Sequence, residues 1–322
     1  MEYRKLGNCD TDISVLGIGG MAMTNIYGKA DTNETINAIH AALDAGINFI
    51  DTSDAYASGK NEEMIGEALR NRRNQAFVAT KFGNLGGSAN GRPEYVIQAC
   101  EKSLQRLKTD VIDLYLQHRV DPDVPIEETV GSMARLVEQG KVRYLGLSEA
   151  GLDTIERAHK TYPITALQTE YSLWTRFVEK DHLPLLRKLD IGFIAYSPLG
   201  RGMLTGTISG QSSLNDGDRR FDHPRFGAEN IEKNVDLISP FFDLANKKRV
   251  TSSQLALAWL MAQGDDIFPI PGTKSMHHLL ENINAIDIKL TAEEVDEISN
   301  SFDPNSVFGT RYPTKQLGGL GI

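Results

Sequence analysis

The sequence predicts an α/β fold, a (β/α)8 TIM barrel, and three observations carry that expectation. Short, mostly apolar runs begin at residues 13, 47, 76, 111, 142, 164, 191 and 267. From residue 47 to residue 191 they are spaced like single strand–helix units, and helical patterns fill the gaps. The runs are apolar throughout, as parallel strands covered on both faces must be. Eight such units are the count that closes a barrel.

The elements follow in order. Tyr3–Leu6 and Asp12–Val15 flank Gly7-Asn8-Cys9-Asp10 and read as a β-hairpin that caps the bottom of the barrel. The strand runs are Ile13–Ile18, Ile47–Ile50, Ala76–Ala79, Val111–Leu116, Val142–Leu147, Ile164–Leu167, Ile191–Ala195 and Ile267–Ile270. Thr32-Asn33-Glu34 opens a helix with Ile36, Ile39, Ala42 and Leu43 on its apolar side, and Gly46 closes it. Pro93-Glu94 opens another, striped by Val96, Ile97, Cys100, Leu104 and Leu107. Pro125-Ile126-Glu127-Glu128 opens a third that ends at Gly140. The long last interval leaves room for an insertion. No linker or low-complexity segment interrupts the chain, so one domain over residues 1–322 is expected.

Gly17-Ile18-Gly19-Gly20-Met21-Ala22 formally matches a dinucleotide-binding glycine fingerprint. Residues 23–29 read as loop, however, and not as the helix start that would hold a pyrophosphate. The glycines are therefore read as close backbone packing at the end of the first strand.

Composition narrows the function. Lys and Arg number 34 against 43 Asp and Glu, a net charge of −9. With no basic tract, that argues against a nucleic-acid partner. No stretch of about 18 apolar residues suggests a membrane span. The charged start lacks the apolar core of a signal peptide, so a cytoplasmic protein is expected. Cys9 and Cys100 then read as reduced, structural thiols.

The active end of a parallel barrel is the C-terminal end of its strands. Just after the runs stand Asp51, Ser53 and Tyr56, then Lys81, His118, Ser148-Glu149, Gln168 and Tyr196-Ser197. Singly, each has an ordinary explanation: Asp51 or Ser53 as helix caps, Lys81 as a loop cation, His118 as a core histidine. Together they form a chemical set. A phenol with a pKa of about 10 is a poor acid or base at neutral pH. Lys81 beside Tyr56 would lower that value, and Asp51 would hold Lys81 charged. His118 would hydrogen-bond a substrate oxygen or relay a proton. The set suits protonation of a carbonyl oxygen while its carbon receives a hydride. The histidines lack metal-ligand spacing apart from adjacent His277 and His278, so no metal is expected.

At these residues the chain resembles a known family. Gly46-Ile47-Asn48-Phe49-Ile50-Asp51-Thr52-Ser53-Asp54-Ala55-Tyr56, followed by Asn61-Glu62-Glu63 and Gly66, is similar to the signature of the aldo-keto reductases. So are Ala79-Thr80-Lys81-Phe82-Gly83, Asp113-Leu114-Tyr115-Leu116-Gln117-His118, Gly146-Leu147-Ser148 and Gln168. Tyr196-Ser197-Pro198-Leu199 and Ile270-Pro271-Gly272-Thr273-Lys274-Ser275 extend the likeness over nearly the whole chain. Glu170-Tyr171-Ser172-Leu173-Trp174 and Gly200-Arg201-Gly202 resemble the bacterial, fungal and plant branch.

The resemblance implies a barrel that binds NADP(H) extended across the strand ends. Tyr56 is then the general acid/base, with Lys81, Asp51 and His118 completing a tetrad. Ser148 and Gln168 are implied on the carboxamide and Tyr196 on the nicotinamide face. Ser197, Leu199, Gly200, Arg201 and Leu204 are implied along the pyrophosphate. Lys274 and Ser275 are implied at the 2′-phosphate and Glu281 and Asn282 at the adenine, with Gly272 and His278 in the same cofactor set. Glu149 stands where many members have Asn, His278 where many have Arg, and Ser275 where close relatives often have Arg. The last two changes remove permanent positive charge, and Arg pairs bidentately with phosphate where His does not. NADPH is expected over NADH because Lys274 remains, with a weakened preference.

Residues 200–227 are expected to form a long cofactor-covering loop, mobile without cofactor. The tail from Asp303, with Phe308 and Tyr312, either folds over the mouth or frays. Expected substrate walls are Met23, Tyr27, Phe82, Arg119 and Trp174, an aromatic set with one cation. They suit an aromatic or moderately apolar aldehyde or ketone with a polar or anionic group near Arg119, unless Arg119 pairs with Asp121 or Asp123. The expected partner is a small carbonyl or alcohol, with no nucleic acid or membrane, and the protein a monomer or small homo-oligomer. The alternatives are a nucleotide-sensing regulatory subunit built on a reductase barrel, and a metal-dependent barrel hydrolase or isomerase.

Overall fold

A computed structural model describes residues 1–28 and 30–322. Its strands are β1 (Tyr3–Lys5), β2 (Asp12–Ser14), β3 (Ile18–Gly19), β4 (Phe49–Asp51), β5 (Phe77–Phe82), β6 (Ile112–Gln117), β7 (Val142–Ser148), β8 (Ile164–Glu170), β9 (Gly192–Tyr196) and β10 (Ile267–Pro269). Its helices are α1 (Thr32–Asp44), α2 (Lys60–Ala68), α3 (Pro93–Leu107), α4 (Ile126–Glu138), α5 (Leu152–Thr161), α6 (His182–Lys188), α7 (Ile231–Lys248), α8 (Ser252–Met261), α9 (Met276–Asn284), α10 (Ala292–Ser299) and α11 (Thr314–Leu317).

Strands β3 to β10 form one parallel sheet in chain order. Its two ends meet, because Gly17 N–H donates to Pro269 O at 3.0 Å and Gly19 N–H to Pro271 O at 3.1 Å. The expected first strand is divided. Asp12–Ser14 pairs antiparallel with β1, and only Ile18–Gly19 joins the barrel. Glycine is what permits the closure. A methyl on Gly17 would lie 2.7 Å from the Phe49 ring, and one on Gly19 2.8 Å from Ile270 O. The segment after them is one 3-10 turn, Gly20–Met23, and the first α-helix waits until Thr32.

Side chains alternate along each strand, so every second residue points into the barrel. Phe49, Phe77, Leu114, Leu116, Ala166, Ile194 and Phe268 fill the interior. Continuing the same alternation brings Asp51, Lys81, His118, Ser148, Gln168 and Tyr196 inward at the upper rim. The hairpin closes the lower end, where Leu6, Cys9 and Ile13 join that interior cluster. Gly7, at φ 52°, seats the hairpin turn there, since a methyl on it would lie 2.3 Å from Thr165 O.

The Asn61-Glu62 motif fastens α2 to the rim. Thr52 Oγ1 donates to Asn61 Oδ1 at 2.6 Å, and Asn61 Nδ2 donates to Gly20 O at 3.0 Å. Buried Glu62 accepts from Thr80 Oγ1 and Arg106 Nε, both at 2.6 Å. Asp113 accepts from Arg73 Nη2 at 2.6 Å and Val78 N–H at 2.8 Å, fastening neighbouring strands. Cys9 and Cys100 are free and buried. Among the described residues no helix is long and apolar enough to cross a membrane.

Candidate active site

Four rim residues converge. Lys81, almost fully buried, donates to Asp51 Oδ1 and Oδ2, each at 2.6 Å, and to Thr52 O at 2.8 Å. An ammonium has three protons, so these partners use all of them. Lys81 Nζ also lies 5.1 Å from the centre of the Tyr56 ring. The Tyr56 and His118 rings meet edge to face at 5.9 Å. His118 Nδ1 is 3.0 Å from Ser53 Oγ, which also contacts Lys81 O at 3.2 Å. Nε2 of His118 has no hydrogen-bond partner among the described residues, and His118 lines the cavity.

The electrostatics correct one expectation. Burial, then the Asp51 charge, push the Tyr56 phenol well above its ordinary range. The Asp51 carboxylate paired with Lys81 offsets the pull of that ammonium on the phenol. Burial pushes Asp51 up and Lys81 down, while their mutual contact opposes both shifts. Burial, with help from Arg119 and Lys81, holds the His118 imidazole well below its usual value. At neutral pH the site therefore presents a protonated phenol and a neutral imidazole.

These groups open on a cavity of about 1210 Å³, above the roughly 300–1,000 Å³ of a single small-ligand pocket. Asp51, Tyr56, Ser148, Gln168, Tyr196, Ser197, Leu199 and Arg201 line its catalytic half, and Gly272, Lys274, His278, Glu281 and Asn282 line the rest. Gly200, Leu204 and Ser275 do not line it. Leu204 is core, Gly200 turns tightly under Trp174, and Ser275 precedes α9. Gln168 Nε2 donates to Asp51 Oδ1 at 2.7 Å, which leaves its carbonyl oxygen for a ligand N–H. That acceptor and the Ser148 hydroxyl match the donor and acceptor of a carboxamide, so the residues fit a nicotinamide.

The substrate walls need correction. Tyr27 and Arg119 line the cavity, but Met23, Phe82 and Trp174 do not. Lys81 faces the barrel, so Phe82 faces the helices and stacks on Tyr115 with ring centres 4.7 Å apart. Trp174 is fully buried against Phe226 and under Arg225. Met23 is packed in the outer core. In their place stand Tyr312, from the tail that folds over the mouth, together with Tyr95 and the 84–89 loop, which carry no local sequence signal.

Arg201, expected along the pyrophosphate, lines the cavity and also holds a protein carboxylate. Its guanidinium forks onto buried Glu170, Nη1 to Oε1 at 3.0 Å and Nη2 to Oε2 at 2.9 Å. Glu149, where the carboxamide-binding Asn was the comparison, adopts φ 54° and accepts from Tyr196 Oη at 2.8 Å. The C-terminal tail covers this region. Tyr312 Oη lies 2.8 Å from Tyr196 Oη, and His223 Nδ1 lies 3.0 Å from Arg311 O.

A clamp crosses the far half of the cavity. Lys274 Nζ donates to Gly28 O at 2.8 Å and Tyr27 O at 3.3 Å. Arg219 N–H donates to Ile26 O at 3.3 Å, and the Arg220 guanidinium lies 5.3 Å from the Tyr27 ring centre. The 200–227 segment that supplies these arginines is built of short 3-10 turns. Among the described residues, no group of three His, Cys, Asp or Glu is arranged to hold a metal ion.

Comparisons with known proteins point to one family. The profile of the Aldo/keto reductase family matches residues 15–302. A probable aldo-keto reductase 1 of Glycine max is 45% identical over 320 residues, covering 96% of this chain and 91% of the relative. The glycerol dehydrogenase of Gluconobacter oxydans superposes with a TM-score of 0.84 at 30% identity, over 96% of this chain and 98% of its own. An aldo/keto reductase of Klebsiella pneumoniae, solved with NADP and acetate, superposes with a TM-score of 0.74 at 26% identity, over 97% and 99%.

Proposed function

The chain belongs to the aldo/keto reductase family, and we propose that it moves a hydride between NADP(H) and the carbonyl carbon of a small aldehyde or ketone. The observation that carries this reading is the convergence of Tyr56, His118 and the buried Lys81–Asp51 pair at one rim of the cavity. The NADP complex of the Klebsiella relative supports the cofactor.

When bound, the nicotinamide supplies the hydride. Tyr56 Oη donates the proton to the carbonyl oxygen, and His118 Nε2 orients that oxygen. Lys81 and Asp51 hold the phenol's surroundings fixed, so no reorganisation is needed as charge develops. Ser148 and Gln168 orient the carboxamide, and Tyr196 packs on the ring. Lys274 and His278 serve the phosphate end, with Glu281 and Asn282 at the adenine. NADPH is preferred over NADH only moderately, because His278 and Ser275 bring no fixed charge. No metal takes part. The protein works in the cytoplasm on small molecules.

The test is NADPH consumption over a panel of aldehydes, ketones and quinones, with and without chelator. Chelator-insensitive turnover, with a lower rate on NADH, is expected. Tight NADPH binding without turnover of any carbonyl contradicts the reading and favours a nucleotide-sensing subunit.

A further inference from the structure

We propose that the carbonyl substrate of this site carries a carboxylate, and that Arg119 is its receptor. The inference rests on the hydride-transfer reading above and narrows its substrate class. Arg119 follows His118 in the chain and lines the cavity with Tyr56. Its Nη1 donates to His118 O at 2.6 Å and to Ser148 Oγ at 3.4 Å, which fixes the guanidinium in place. Nε and Nη2 have no protein partner among the described residues, and neither is sealed from the cavity. They form one edge of the guanidinium, the edge that grips a carboxylate through two parallel N–H···O bonds.

The charges around the mouth single this residue out. Three guanidiniums surround the Tyr312 ring, at 5.0 Å for Arg201, 5.9 Å for Arg311 and 6.0 Å for Arg119. Arg201 is matched by Glu170 and Arg311 by Glu149. Arg119 makes no ion pair among the described residues. The two carboxylates nearest in sequence do not supply one. Asp121 accepts from Gly91 N–H at 2.8 Å and Asp123 N–H at 3.0 Å, which ties it into its own turn. Arg219, the other cavity arginine without a carboxylate, is exposed and solvated. Arg119 is instead largely withdrawn from water, where an unmatched charge is costly and an arriving anion gains most. The Tyr56 and Tyr312 rings line the same cavity as Arg119 and suit an aryl spacer between the acid group and the reacting carbonyl.

The test compares 4-carboxybenzaldehyde with 4-nitrobenzaldehyde, which is neutral and nearly the same shape. Steady-state rates with NADPH are measured for the wild type, Arg119→Met and Arg119→Lys, alongside the NADPH Kd by fluorescence. In Arg119→Met the ratio of kcat/KM values, carboxylate over nitro, is expected to fall about 30-fold, mostly through KM, as loss of charge-assisted hydrogen bonds implies. Arg119→Lys is expected to keep part of the ratio. An unchanged ratio overturns the proposal while leaving the reductase reading intact. A weakened NADPH Kd with both aldehydes falling together also overturns it, by assigning Arg119 to the cofactor phosphates. If the wild type reduces neither aldehyde nor any other carbonyl, the reductase reading fails and the proposal falls with it.

Discussion

Arg311 and Glu149, 162 positions apart in sequence, form a two-pronged ion pair, Nη1 to Oε1 at 3.0 Å and Nη2 to Oε2 at 2.9 Å. The pair ties the C-terminal tail to the end of β7, and Tyr196 Oη joins it at Glu149. Gly321 N–H donates to Glu149 O at 2.8 Å, adding a backbone tie at the same residue. Removing one partner of a buried pair strands the other charge, at a cost of about 3–5 kcal/mol. Arg311→Met is therefore expected to lose about 3 kcal/mol in urea unfolding and to expose the tail to protease. The double variant with Glu149→Gln should recover part of the loss. A loss well under 1 kcal/mol in the single variant means the tail is not held this way.

Asp54 is a group that the fold keeps at some expense. Burial, then the charge of Glu62, push it up to about 6. The folded value lies above the unfolded one, so the folded state holds the proton more tightly. That stabilisation is complete below the unfolded value of 3.8 and is lost as pH rises through about 6. Asp54→Asn is thus expected to stabilise the protein by about 1–2 kcal/mol at pH 7.5 and by little at pH 4. Thermal melts at the two pH values decide it, and equal gains at both would remove the electrostatic explanation.

The pH profile of turnover follows from Tyr56 and His118. The phenol is held high and the imidazole low, so neither changes charge between about pH 6.5 and 9. Carbonyl reduction, which needs the phenol protonated, is expected to stay flat across that window. Alcohol oxidation needs a proton acceptor and is expected to rise toward alkaline pH. A reduction rate that halves near pH 6.5 and loses that inflection in His118→Asn would show that the imidazole titrates after all.

Lys274 pins the 27–28 backbone across the cavity and stands where the 2′-phosphate is proposed. Lys274→Gln is expected to weaken NADPH about tenfold, as loss of one charge-assisted contact implies, with a smaller effect on NADH. Trypsin cleavage at Arg219 and Arg220 is expected to slow when NADP⁺ is added. Equal losses for both cofactors would limit Lys274 to a structural clamp, and unchanged cleavage would remove the lid.

Much of the barrel was legible because parallel strands announce themselves as apolar runs at regular spacing. The gathering of Asp51, Tyr56, Lys81 and His118 at one rim was legible because strand ends are where such a fold places its chemistry. The failures trace mostly to contacts between distant parts of the chain. Ile13–Ile18 read as one strand, but barrel closure through Gly17 and Gly19 divides it, and closure is a long-range event. Phe82 reads as a pocket residue by its position in the chain, but strand alternation turns it away from its neighbour Lys81. Trp174 looked like a pocket aromatic by position, yet the tertiary fold buries it beneath Arg225. The tail's two outcomes stayed open and Arg311 carried no spacing signal, because the partners of Arg311 and Tyr312, Glu149 just after β7 and Tyr196 on β9, lie far back in the chain.

The central claim is that Tyr56 donates the proton during hydride transfer. Single-turnover oxidation of bound NADPH by a reactive aldehyde, followed in Tyr56→Phe, tests it most directly. Loss of a general acid costs roughly 10²–10⁴-fold, so the step is expected to slow by about 10³-fold while NADPH still binds within a few-fold of wild type. Hydride transfer at close to the wild-type rate in that variant would contradict the account.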